Sequence, residues 1–355
     1  MTTVDVAAVG SQAHAISVHR FTHADRERWN GYVHSHPDAT VFHLAEWETV
    51  VETAGKHATW YLYAEAGGEI QGILPLGHVR SRLFGNALIS TPFCVYGGIL
   101  SSSEEAHEAL RDAACELADR LGVDYLELRN RTRMQPDWTC KDLYVTFRKE
   151  MDPDPEKNLL AIPRKQRAMV RRGIKSGLTG EVDSGVDRFF RIYSESLRNL
   201  GTPVFPRRLF QVLKELFGDS CEVLTVTRDG MAISSVLALY FRDEVLPYYG
   251  GGIAEARAVA ANDFMYWELM RRACERGQRI FDYGRSKRDV GSFRFKKHWG
   301  FEPEPLYYEY YLVRAKTVPE VNPLNPRYRL LIETWKRLPL RLTQFLGPMI
   351  ARYLG

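Results

Sequence analysis

The chain has 355 residues and a formal net charge of +4, from 48 Lys and Arg against 44 Asp and Glu, which predicts two domains, each able to bury a core. No run reaches the roughly 18 apolar residues that a bilayer span needs, and Met1–Gly10, with Asp5 and no basic flank, does not read as a secretory signal. Cys94, Cys115, Cys140, Cys221 and Cys274 stand singly, which argues against a zinc cluster or disulfide framework and for a reducing cytoplasm.

In chain order, residues 1–14 are expected to be disordered. Ile16–Phe21 reads as a strand, and Asp25–His34 and Leu44–Ala54 as helices around Pro37-Asp38. Thr59–Val79 reads as a hairpin turning at Gly67-Gly68. A third strand is expected to end in Tyr96-Gly97-Gly98-Ile99. Glu104–Leu121 is predicted helical, capped by Ser101–Ser103 and stopped by Gly122. Tyr125–Asn130 and Leu143–Arg148 follow as strands.

Met151-Asp-Pro-Asp-Pro155 reads as a linker, and Pro163 suits the first turn of the next helix. Asp187–Leu200 and Arg207–Phe217 are predicted helices. Strands are expected at Cys221–Thr227, Ala232–Phe241, Val245–Gly252 and Ile280–Arg285. Phe264–Arg276 reads as a helix with Asn262 or Asp263 at its N-cap. Arg288–Trp299 is a further helix and Leu306–Val313 an aromatic strand. The tail has Pro319, Pro323 and Pro326, a helix from about Tyr328 to Arg337, and two interruptions at Pro339 and Pro348. Its apolar residues alternate with arginines, which fits either a helix docked across both domains or an interfacial membrane helix.

The order of elements over residues 59–130 recurs over residues 221–285. Gly97-Gly98-Ile99 answers to Gly251-Gly252-Ile253, and Glu127 falls opposite Asp282. One recurrence at this length is a duplicated domain rather than a solenoid, and a site is expected in the cleft between the copies. Hairpins before a strand–helix–strand crossover predict an α/β (α+β) protein with largely antiparallel sheets.

Charge is segregated. Arg164, Lys165, Arg167, Arg171, Arg172 and Lys175 have no acid between them. Residues 327–352 carry Arg327, Arg329, Lys336, Arg337, Arg341 and Arg352 against Glu333 alone. The rest of the chain is acidic, so anionic partners are expected at two places.

This order resembles the Gcn5-related N-acetyltransferase (GNAT) fold. Two copies joined through a basic helix resemble the Fem family of peptidoglycan-bridge aminoacyltransferases and the FemAB-like proteins of exosortase (PEP-CTERM) and exopolysaccharide systems. The residues that carry the resemblance are Phe42-His43-Leu44-Ala45-Glu46-Trp47, Pro163–Arg167 through Arg171–Gly177, Asn262, Phe281-Asp282-Tyr283-Gly284, Gly291 and Phe295–Phe301. The closing Leu-Pro and Gly-Pro tail resembles the exopolysaccharide-associated branch. The resemblance implies GNAT-like domains at residues 15–150 and 156–315, followed by a basic amphipathic helical tail at 319–355.

The resemblance also implies an acyl or aminoacyl transfer that makes an amide on an amine of a cell-envelope or exopolysaccharide precursor. The donor ester is already activated, so positioning, a proton acceptor and positive charge suffice. No GxSxG motif is present. Lys296 matches the family's Phe-Lys pair and is expected to be catalytic, by stabilising an oxyanion or holding the donor. Asp282 is expected to orient the amine or take its proton, or else to pair with Arg285 or Arg279. His298 is a further candidate base or a surface histidine.

Tyr249, Asn262, Tyr283, Arg285 and Lys287 are expected to bind substrate. Arg164, Arg167, Arg171 and Lys175 share one helix face and are expected to grip a diphosphate or a tRNA backbone. No cofactor is expected beyond aminoacyl-tRNA or acyl-CoA as co-substrate. Ala254–Asn262 lacks the glycines of the usual pyrophosphate turn, which weakens a CoA-dependent N-acetyltransferase as the alternative. A non-catalytic nucleic-acid or glycolipid binding module is the third reading. The acceptor is expected to be a nucleotide- or lipid-linked sugar precursor, met by a cytoplasmic protein able to contact the inner face of the membrane through its tail.

Overall fold

The computed structural model describes residues 15–81, 85–318 and 326–353. The expectations for residues 1–14, for Pro319 and Pro323, and for the side chains of Arg327 and Arg329 lie outside the described residues.

The first half runs β1 (Ser17–Arg20), α1 (Arg26–Ser35), α2 (Glu46–Val50) with a wide turn at Val51–Gly55, β2 (Ala58–Thr59), β3 (Leu62–Ala66), β4 (Glu69–Leu74), β5 (Leu76–Ser81), β6 (Gly85–Ser90), β7 (Leu100–Ser101), α3 (Glu104–Leu121), β8 (Tyr125–Asn130), β9 (Thr139–Lys141), β10 (Tyr144–Thr146) and β11 (Arg148–Glu150). Helix α3 forms where its caps put it. Ser103 accepts from the Ala106 N–H, and Gly122 ends the helix at φ +57°, a conformation that costs glycine little.

The second half runs α4 (Pro155–Ala161), α5 (Arg164–Lys175), β12 (Thr179–Asp183), α6 (Asp187–Leu200), α7 (Arg207–Phe217), β13 (Cys221–Arg228), β14 (Met231–Phe241), β15 (Glu244–Gly252), α8 (Ala254–Ala258), α9 (Ala261–Glu275), β16 (Ile280–Asp282), β17 (Ser286–Lys287), α10 (Gly291–His298), β18 (Glu304–Pro305) and β19 (Tyr307–Leu312). The tail is α11 (Pro326–Arg337) and α12 (Leu340–Ala351).

Two six-stranded sheets dominate, ordered β2-β5-β6-β8-β19-β9 and β11-β16-β15-β14-β13-β12. Each is antiparallel except at one crossover, where β6 runs parallel to β8 and β15 to β16. The duplication therefore exists as fold, with α3 and α9 as the matching crossover helices. The closing strand of each half lies in the other half's sheet. β11 pairs with β16, and β19 pairs with β8 and β9. Neither half closes its sheet alone.

Six expectations need correction. The strand expected over Ile280–Arg285 ends at Asp282, because Gly284 turns the chain at φ +66°. No strand ends at Tyr96–Ile99. β6 stops at Ser90, and the chain loops through Thr91, Phe93 and Gly97 at positive φ, held by Gly97 and Gly98 N–H bonds to the Arg129 carbonyl. Leu143–Arg148 is two short strands, because β10 joins β17 and β18 while β11 joins β16. The helix expected at Arg288–Trp299 begins only at Gly291. Neither Asn262 nor Asp263 caps α9, whose N-cap is Ala260 at φ +56°. Pro348 does not interrupt the tail, since α12 runs through it.

The longest strand, β14, is buried on both faces. Ile233, Val236 and Ala238 pack in the core with Phe264 and Phe281, and Leu237 and Leu239 in the core with Phe189 and Trp47, each large aliphatic residue contributing roughly 1.5–3 kcal/mol. Helix α5 packs on α9 through Gly173, where an added Cβ would lie 2.7 Å from Phe264. That close approach explains the glycine inside a basic helix.

Candidate functional site

Helix α10 carries Lys296 inward. Its side chain is 8% exposed, and Nζ donates to the carbonyls of Gly284 at 2.8 Å and Arg285 at 3.1 Å. The rings of Phe147 and Tyr283 lie 5.5 and 5.9 Å from Nζ. Burial pushes the amine down to about 7, with Arg285 adding to the effect and Asp282 opposing it. Lys297 and His298, the next two residues, are exposed, so His298 lies apart from the buried amine.

Asp282 ends β16 and is 2% exposed. Its Oδ1 accepts from the Gly284 N–H at 2.8 Å and from Thr146 Oγ1 at 3.2 Å. Its Oδ2 accepts from Tyr96 Oη at 2.9 Å and from Arg148 Nη1 at 3.1 Å. The arginine expected beside Asp282 was Arg285 or Arg279. The partner is Arg148, whose strand β11 the exchange lays directly against β16, while Arg285 turns to Tyr308. Arg148 also holds Glu244, at 2.9 Å from Nη1. Glu127 is likewise buried and paired, with Arg129 at 2.7 Å.

Gly284 joins the two candidate catalytic residues. Its N–H serves Asp282 and its carbonyl serves Lys296, and its φ of +66° makes this turn possible. Asp282 lines a small cavity of about 10 Å³ together with Thr40, Val41, Phe42 and Tyr96 from the first half and Leu239, Phe241, Glu244 and Leu246 from the second.

A cationic group lies on the same loop. Arg285 donates to Tyr308 Oη at 2.9 Å, and its guanidinium lies 4.7 Å from the Tyr144 ring centre. Lys287 Nζ lies 5.7 Å from the same ring. Burial first, then Arg285 and Lys141, pushes Lys287 down to about 8. Mutual repulsion among three cations is relieved when an anion binds.

Residues 164–297 match the family model described as an acetyltransferase (GNAT) domain. The FemX crystal structure matches with a TM-score of 0.65 at 17% identity, covering 89% of this chain and all of that one. The C-terminal domain (DUF2156) of a putative lysylphosphatidylglycerol synthetase from Agrobacterium fabrum matches at 0.55 and 16% identity, covering 81% of this chain and 91% of that domain. A tandem GNAT protein from the clavulanic acid biosynthesis pathway matches at 0.54 and 12% identity, covering 86% of this chain and all of that one. No curated protein matches the sequence. The fold is that of tandem GNAT proteins, and together with the domain match it supports an acyltransferase. Among the described residues no helix is long and apolar enough to cross a membrane, and no group of His, Cys, Asp and Glu could hold a metal ion.

The expected site residues fall into four places. Asp282, Tyr283, Arg285, Lys287 and Lys296 come together. Tyr249 lies in an aromatic core, 5.3–5.9 Å from the rings of Tyr193, Phe205 and Phe210. Asn262 sits in the first turn of α9 with Oδ1 buried and without a partner, beside Gly252, where an added Cβ would lie 2.5 Å away. Arg164, Arg167, Arg171 and Lys175 lie on α5 as a separate surface. Of these, Arg167 reaches the Leu160 carbonyl at 2.7 Å. No acid lies within ion-pair distance of the six α5 cations among the described residues.

The early Phe42–Trp47 motif is a scaffold. Trp47 Nε1 donates to the Val41 carbonyl at 2.9 Å, and Glu46 accepts from Asn30. Sequence reasoning missed Tyr96, Thr146, Arg148, Glu244, Lys141, Tyr144 and Tyr308. Arg148 gave no local signal, since its partners lie 96 and 134 residues away.

Proposed function

We propose that the chain moves an acyl or aminoacyl group from an activated ester or thioester onto an amine of an anionic cell-envelope or exopolysaccharide precursor. The observation that carries this reading is Lys296, a buried amine poised near neutrality one glycine from Asp282. A neutral lysine donates two N–H groups, and the carbonyls of Gly284 and Arg285 take both. Its lone pair is then directed away from them, as a general base requires.

In this mechanism the acceptor nitrogen attacks the donor carbonyl carbon and forms the C–N bond. Lys296 takes the proton from that nitrogen. The resulting ammonium returns the proton as the C–O or C–S bond breaks and the alcohol or thiol leaves. Asp282 has donors on both oxygens, so its role is positioning. It fixes the 282–285 loop and, through Gly284, the amine. Arg285 and Lys287, with Lys141, bind the acceptor's phosphate or carboxylate.

The unmatched cations of α5 favour a polyanionic donor such as aminoacyl-tRNA. An acyl-CoA donor is the second reading, favoured by the domain match. Against it, Arg172 Nη2 donates to the Ala258 carbonyl at 2.6 Å, bracing the segment before α9, where the fold's pyrophosphate turn would lie. Thermal-shift measurements with aminoacyl-tRNA, acetyl-CoA and UDP-sugars separate these readings. Stabilisation by aminoacyl-tRNA and a UDP-sugar is expected. Stabilisation by acetyl-CoA alone would replace the first reading with the second, and stabilisation by none would favour a non-catalytic binding module.

A further inference from the structure

The tail helices clamp both halves of the molecule. On α12, Thr343, Gly347 and Ala351 are buried. Gly347 lies against Val204, whose backbone N and O would be 2.9 Å from an added Cβ. Gln344 donates to Ser194 Oγ on α6 at 2.8 Å. At the far end the Arg352 carbonyl meets His57 Nε2 at 2.7 Å, and Tyr353 packs on the same imidazole. The docked face of α12 is therefore accounted for.

The opposite face is not. Leu342, Phe345 and Met349 recur at helical spacing and are 40%, 65% and 52% exposed. On α11, Leu330 and Leu331 are 76% and 65% exposed. These five are nearly half of the eleven large exposed apolar side chains among the described residues, gathered in one short segment. Helix α11 is itself seated on the second half, where Gly201 packs on Ile332. A patch of clustered large apolar side chains is a mark of an interaction site. Its charged neighbours are cations, with Arg337 and Arg341 both exposed. The sole acid of residues 330–353, Glu333, is already paired with Lys336 at 2.8 Å.

We propose that this outer face of α11 and α12 is the surface on which the protein lies against an anionic lipid bilayer. Leu342, Phe345 and Met349 enter the headgroup boundary, and Arg337 and Arg341 meet lipid phosphates. A bilayer fits better than a protein partner because, among the described residues, the unpaired charges beside these apolar side chains, Arg337 and Arg341, are of one sign. Because α12 bridges Ser194 and His57, bilayer contact orients both halves at once.

The test is sedimentation of the full chain with vesicles of phosphatidylcholine alone and of phosphatidylcholine mixed with phosphatidylglycerol. Binding to the mixed vesicles is expected, weakened by salt. The triple variant Leu342→Ser/Phe345→Ser/Met349→Ser is expected to lose roughly tenfold or more in partitioning with an unchanged unfolding temperature. The double variant Arg337→Glu/Arg341→Glu is expected to lose the preference for anionic vesicles, a loss on the order of tenfold or more. Single Phe345→Ser serves if the triple variant does not fold. No vesicle binding by the wild type, or equal binding by the variants, would overturn the proposal. A concentration-dependent dimer that the triple variant dissolves would also overturn it, by assigning the face to a second copy.

Discussion

Tyr96, from the first half, donates its hydroxyl to Asp282 of the second half at 2.9 Å. Asp282 is thus held by residues that the linear division of the chain assigns to the other copy: Tyr96, Thr146 and Arg148. Strand exchange makes this possible, because β11 reaches β16 only by leaving its own half. Tyr96→Phe keeps the ring and removes the donor. It is expected to cost roughly 1–3 kcal/mol of stability, as a buried acceptor loses a partner. It is also expected to lower turnover, because the 282–285 loop loosens. Chemical denaturation and steady-state kinetics check both outcomes.

Arg148→Met tests the ion pairs behind that loop. It strands two carboxylates, Asp282 and Glu244, of which Asp282 is almost wholly buried. Removing one member of a buried pair costs roughly 3–5 kcal/mol, so a large fall in unfolding temperature is expected. The companion variant Arg148→Met/Asp282→Asn is expected to recover part of the loss, since the uncompensated charge is gone. Differential scanning calorimetry on the two variants measures the recovery.

Lys296 couples stability to pH. Its amine is pushed down to about 7 in the fold, from the ordinary 10.5. Between those values the unfolded chain binds the extra proton, so stability rises with pH across that window. Below pH 7 both states are protonated and the cost of the buried ammonium is fully present. Lys296→Met is expected to be more stable than wild type at pH 6, with the difference shrinking as pH rises toward 10. Urea unfolding at several pH values checks the direction.

The cations of α5 are expected to act at a distance from the reacting atoms. Charge reversal at Arg164, Arg171 and Lys175 is expected to weaken binding of a tRNA-sized polyanion and to flatten its salt dependence, by about one unit of log–log slope per lost phosphate contact. All three side chains are exposed, so the unfolding temperature is expected to hold. Fluorescence anisotropy at a series of salt concentrations is the measurement.

The duplicated order of elements was legible because each copy repeats its glycines and its amphipathic helix at nearly constant spacing. Helices α3, α6 and α7 have the bounds read from the sequence, and α3 has the caps predicted for it. The strand exchange was not legible, since Tyr307–Leu312 pairs by register with residues about 180 positions earlier and local pattern carries no such information. The same holds for the site. Lys296, Asp282 and Arg285 stand in one motif and could be found together. Tyr96 and Arg148 reach it only through tertiary structure. Tyr249, expected to bind substrate, packs among Tyr193, Phe205 and Phe210, a neighbourhood that its local sequence does not announce, and glycines follow it. Those glycines, Gly251 and Gly252, make room for Ser196 and for Asn262 rather than for a ligand.

The measurement that bears most directly on the shared centre is the pH dependence of amide formation, followed by mass spectrometry with wild type and Lys296→Met. The wild-type rate is expected to rise through about pH 7 as the Lys296 amine loses its proton, and the variant is expected to show no turnover at any pH. A Lys296→Met enzyme that keeps the full rate and the same profile would contradict the account.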